Sequence, residues 1–78
     1  MKAVLQRVAS ASVSIEGTCK AHIGRGLMVL LGVSAHDGVD EADFLAKKAS
    51  SLRIFEDDQG KMNRSLLEIG GGMLVVSN

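Results

Sequence analysis

Several things are scarce in this chain of 78 residues, and each scarcity excludes something. Cys19 is its one cysteine, so no disulfide forms within the chain and a reducing, cytoplasmic setting fits. Proline is absent, which excludes a proline-rich linker, and an apolar fraction of 46% excludes a disordered segment. Nine basic residues balance nine acidic ones, so the strongly basic footprint of non-specific nucleic-acid binding is missing and any RNA contact has to be local. No apolar run approaches the ~18 residues of a membrane span, and the N-terminus lacks a secretory pattern, so a cytoplasmic protein with no membrane partner is expected. At this length the chain is one domain at most and buries only roughly 60% of its unfolded surface.

The residues present are patterned for an α+β fold. Residues 9–16 alternate apolar and polar, as a half-buried strand does, and residues 16–18 supply a turn into a short antiparallel strand near residues 20–23. Gly24-Arg25-Gly26 makes a corner, and the uninterrupted LMVLLGV of residues 27–33 predicts a central strand covered on both faces. Asp40 is expected to cap a helix whose apolar positions Ala42, Leu45, Ala46, Ala49 and Leu52 recur at helical spacing and cover the sheet. Residues 52–56 are expected as a strand, with a turn at Gly60. LLEI and MLVV are expected as a strand pair about the corner Gly70-Gly71-Gly72. The order β, β, β, α, β, β predicts a mostly antiparallel sheet with one covering helix. No repeat or linker interrupts it.

The chemistry legible in side chains alone is thin. Arg7 falls in phase with Ala3, Leu5, Ala9 and Ala11, so its guanidinium starts from the apolar side and must either reach the sheet margin or find acceptors in a site. Cys19 and His22 are spaced C-x-x-H, but two ligands do not make a zinc site, and neither a metal nor another cofactor is expected. Neither glycine cluster runs from a strand into a helix N-terminus, so phosphate loops are not indicated. Ser77 has no neighbouring base and no G-x-S-x-G context.

MKAVLQRV, ASV at residues 11–13, IGRGLMVLLGV, LRIFEDDQGKMN and LLEIGGGMLVVS, in this order and spacing, resemble the N-terminal half of the D-aminoacyl-tRNA deacylases. The likeness spans essentially the whole chain. It implies that residues 1–78 are the N-terminal part of a single deacylase domain, a partial barrel, cut within the active-site motif, and that a buried strand at residues 73–76 leads straight into that motif. The implied activity is hydrolysis of the ester joining a D-amino acid, or mischarged glycine, to the 3′-terminal adenosine of tRNA, a proofreading step. The implied assembly is a homodimer in which a Gly-cis-Pro dipeptide of the neighbouring subunit rejects L-amino acids. Catalysis would rest on backbone amides and on a hydroxyl of the tRNA, with water as the nucleophile. Carried over by position, Ser77 matches the family's serine and Asn78 stands where glutamine is usual. Arg7 resembles the arginine that holds the dipeptide's carbonyls, and Phe55, Met62 and Asn63 match a patterned loop near the pocket. The alternative is a truncated, non-enzymatic product that associates only through exposed strand edges.

Overall fold

The computed structural model describes residues 1–77. Seven strands and two helices follow one another as β1 (Lys2–Val8), β2 (Ala11–Ile15), β3 (Thr18–Ile23), β4 (Gly26–Gly32), α1 (Val39–Ser51), β5 (Phe55–Glu56), β6 (Met62–Arg64), α2 (Leu66–Ile69) and β7 (Gly72–Ser77). The α+β class and the central place of β4 are as expected: the main sheet has the order β1-β4-β7, beside the two-stranded β2-β3 and β5-β6. Three of the four strand pairings are antiparallel, and β4 with β7 is parallel. A parallel partner must be reached by a long crossover, which α1 to α2 provides.

Several expected boundaries are corrected. The alternation over residues 9–16 forms a strand only at Ala11–Ile15, because the chain turns after Val8 to leave the main sheet. The strand expected over residues 52–56 shrinks to Phe55–Glu56, since Leu52 terminates α1 with extended backbone (φ −62°, ψ 133°). The cap of α1 is Gly38 rather than Asp40: Glu41 Oε2 accepts the Gly38 N–H at 2.8 Å, so the helix starts one residue before Asp40. Asp40 and Glu41 in its first turn and Lys48 in its last complement the helix dipole.

LLEI is a helix, not a strand. Ser65 Oγ accepts the Glu68 N–H at 3.2 Å, and Glu68 Oε1 accepts the Ser65 N–H at 3.1 Å. This reciprocal box satisfies two donors that a helix start otherwise leaves orphaned. Gly70, at φ +62°, then closes the turn in the left-handed region. The glycine triplet is thus a helix stop feeding β7 and not a hairpin corner. Gly24-Arg25-Gly26 likewise joins β3 to a strand of a different sheet.

Register assigns the two faces of the main sheet. Leu27 pairs with Arg7 and Met73, and Val29 with Leu5 and Val75, so these residues share one face. The core lies on this face, where Leu27, Val29, Phe55 and Leu66 cluster against Ala3, Leu5, Ile54, Ile69 and Met73. Each large side chain buried there contributes ~1.5–3 kcal/mol. The opposite face is less covered than LMVLLGV suggested, with Val4 64% and Leu30 46% exposed. β4 is apolar throughout, yet it is sealed on one side only.

The result is flat, 42 × 35 × 15 Å, and its accessible surface of 5595 Å² exceeds the ~4,500 Å² of a compact domain of this mass.

Candidate functional site

A concavity forms where β1 and β5 approach the start of β4. It is an open cleft of about 690 Å³ whose lining includes Leu5, Arg7, Val8, Arg25, Phe55 and Glu56. The glycines at this end make the approach possible. Gly26 lies opposite Gly72, and a Cβ on Gly26 would overlap the Gly72 carbonyl, so β4 and β7 meet here without side chains. The Gly72 N–H donates to the Arg25 carbonyl at 3.0 Å and fixes the corner from which the Arg25 side chain leaves.

Arg7 begins, as its phase required, on the apolar face opposite fully buried Leu27. Its head is exposed at the rim, where Nη1 donates to the Ile54 carbonyl at 3.1 Å. That bond ties β1 to the segment entering β5. Phe55, the next residue, is 3% exposed and forms the cleft floor, and the Arg25 guanidinium lies 5.5 Å from its ring centroid. Among the described residues neither arginine forms an ion pair.

Phe55 therefore shares a cleft with Arg7. Met62 and Asn63 sit on β6, Met62 exposed and opposite Glu56. The loop before them is held by Asp57, whose Oδ1 accepts the N–H groups of Gln59 at 2.9 Å and Lys61 at 3.0 Å. These contacts, Lys61 first, with a smaller one from the Asn63 side chain, keep the Asp57 carboxyl below its ordinary value of 3.8.

Ser77 is elsewhere. It pairs with Leu31 at the far end of β4, whereas Arg7 pairs with Leu27, and the two lie on opposite flanking strands. With ~3.3 Å per residue and ~4.8 Å between strands, their Cα atoms are roughly 16 Å apart. Asn78 lies outside the described residues. The Ser77 end of the sheet borders a second, apolar groove of about 120 Å³ between α1 and the sheet, with Leu45 and Ala49 on one wall and Leu5, Val29, Leu31 and Val75 on the other. Beside it the Met1 ammonium meets Asp37 Oδ2 at 2.7 Å. That contact, then the Ser34 backbone N–H, lowers the Asp37 carboxyl below its ordinary 3.8.

Arg25 was not singled out from the sequence. Its flanking glycines marked a corner, and only the packing of that corner on Phe55 brings its charge beside Arg7. Cys19 and His22 lie on β3, both exposed, away from this cleft.

The sequence that builds this fold matches a known family along nearly its whole length. The family model described as D-Tyr-tRNA(Tyr) deacylase matches residues 4–78. The chain belongs to this family. It is 52% identical over 77 residues to a D-aminoacyl-tRNA deacylase of Bacteroides thetaiotaomicron, an alignment covering 99% of this chain and 51% of the relative. It is 57% identical to that of Roseiflexus castenholzii and 58% to that of Desulfatibacillum aliphaticivorans, again over 99% of this chain and over 49% and 53% of theirs. Among solved structures, the c-Myc DNA Unwinding Element Binding Protein superposes with a TM-score of 0.94 at 43% identity, covering 100% of this chain and 53% of the other. The chain spans about half the length of the curated relatives it matches.

Proposed function

We propose that this chain is the N-terminal part of a D-aminoacyl-tRNA deacylase, residues 1–78 of one domain, acting in the cytoplasm. The reaction is hydrolysis of the ester between a D-amino acid, or glycine, and the 3′-terminal adenosine of tRNA, releasing free amino acid and tRNA. The observation that carries this reading is the identity of 52–58% over 77 residues with proteins bearing that name.

In this reading the backbone amides that follow β7, starting near Ser77 and Asn78, stabilise the oxyanion, a role that needs no side-chain nucleophile and no cofactor. Arg7, with Phe55 beneath the same cleft, supports the specificity element, and Met62 and Asn63 belong to a loop bordering it. This reading includes a homodimer, in which the specificity element of one subunit enters the pocket of the other. Each cleft then receives backbone carbonyls from its neighbour, to which the guanidinium fork donates.

The test is a chimera in which residues 1–78 continue into the second half of the Bacteroides thetaiotaomicron relative. It is expected to hydrolyse a D-aminoacyl-tRNA far faster than its L counterpart, and the 78-residue chain alone is expected to be inactive. A folded chimera that leaves the D-ester intact would overturn the assignment.

A further inference from the structure

The cleft holds more positive charge than the positioning of carbonyls uses. Arg7 already gives one N–H to Ile54, whereas the Arg25 head group has no hydrogen-bond or salt-bridge partner among the described residues. Its contact is with the ring of Phe55, and that ring is itself buried in the core. Stacking on a buried ring restrains a side chain that would otherwise lose much rotamer entropy on binding, and leaves the edge of the guanidinium with its donors free. The carbonyl of Arg25 is pinned by Gly72, so its backbone is restrained as well. The chain has no net charge, yet this rim carries two guanidinium groups against the single carboxylate of Glu56.

From this arrangement we infer that Arg25 is a substrate-binding residue that contacts a phosphodiester of the single-stranded end of tRNA. A fork of preoriented donors suits a phosphate oxygen pair, and a guanidinium plane can also carry a stacked base. The inference rests on the deacylase reading for the identity of the RNA, though not for the anion chemistry.

The experiment uses the same chimera, with uncharged tRNA as the binding probe and D-aminoacyl-tRNA as the substrate. Arg25→Met keeps the cover over Phe55 and removes the charge, and Arg25→Lys keeps both cover and charge. Arg25→Met is expected to weaken tRNA binding about tenfold at moderate salt. It should also reduce the slope of log affinity against log salt by about 0.7, the share of one single-strand phosphate contact. KM rises correspondingly while kcat stays within about twofold, and Arg25→Lys restores most of the slope. An unchanged affinity and slope in a folded Arg25→Met protein overturns the inference while leaving the deacylase reading intact. Saturable binding of inorganic phosphate that depends on Arg25, together with a tRNA affinity that does not, overturns the RNA assignment. Charge-dependent tRNA binding by a chimera that does not hydrolyse the ester supports the contact and sinks the deacylase reading alone.

Discussion

The two ends of the central sheet are built in different ways. At the Arg7 end, three strands, the β5 segment and α2 converge on Leu27, Phe55 and Leu66, and glycines let β4 and β7 close to backbone contact. At the Ser77 end, the strands run out beside an apolar groove, Val75 is half exposed, and the Met1 ammonium with Asp37 secures the loop that follows β4. The first end is held by packing, which is intolerant of added volume and of cavities. The second is held by polar contacts near the surface, which respond to pH. In the proposed reading, a rigid end suits a cleft whose two arginines stay aimed, and the open end is where β7 carries Ser77.

The sharpest way to break this contrast is at the glycine seam. Gly26→Val places a side chain where the Gly72 carbonyl stands and should cost ~4 kcal/mol or more, enough to unfold the chimera. A soluble variant with an unchanged thermal transition would show that the seam can open and that the rigid end is not rigid. Next comes Phe55→Ala, which removes the cleft floor from the core and should cost ~3–5 kcal/mol in urea unfolding. The same substitution frees Arg25, so any surviving folded protein should bind tRNA less well.

Arg7→Ala leaves the core in place and loses one exposed hydrogen bond, a change of only ~0.5–1.5 kcal/mol in stability. Its expected signature is kinetic, a lower ratio of D- to L-aminoacyl-tRNA hydrolysis by a folded chimera. Identical kinetics with both enantiomers would leave Arg7 as a tie between β1 and the β5 segment.

The smallest effect concerns acid. Asp37 and Asp57 both have folded values below 3.8, so their contribution to stability is complete above that value and is lost as the pH falls through the depressed folded values. Urea midpoints measured from pH 7 downward should therefore decline below about pH 4. Asp37→Asn with Asp57→Asn should lower the midpoint at neutral pH and flatten that decline. Equal slopes in the variant and the parent would assign acid sensitivity to other carboxylates.

The exposed Val4, Leu30, Val75 and Leu67 leave apolar surface that favours self-association. Light scattering on the 78-residue chain should show species larger than a monomer. A well-dispersed monomer would mean that these side chains are tolerated singly at the surface.

By itself, the sequence determined the α+β class, the central strand, the helix that carries Ala42, Leu45, Ala46 and Ala49, and the phase that starts Arg7 from the apolar face. These follow from local periodicity, which each segment carries independently of its neighbours. The local signal for α2 is Ser65 three residues before Glu68 with Gly70 after it, whereas the apolar run LLEI does not distinguish a buried turn of helix from a strand. The long shared motifs were enough to resemble the family. Only the tertiary structure decided the parallel pairing of β7, the open second face of β4, the meeting of Arg25 with Arg7 above Phe55, and the distance from Arg7 to Ser77. Each of these depends on which strands lie side by side and in what register, a choice made by long-range packing and by the volume missing at Gly26 and Gly72.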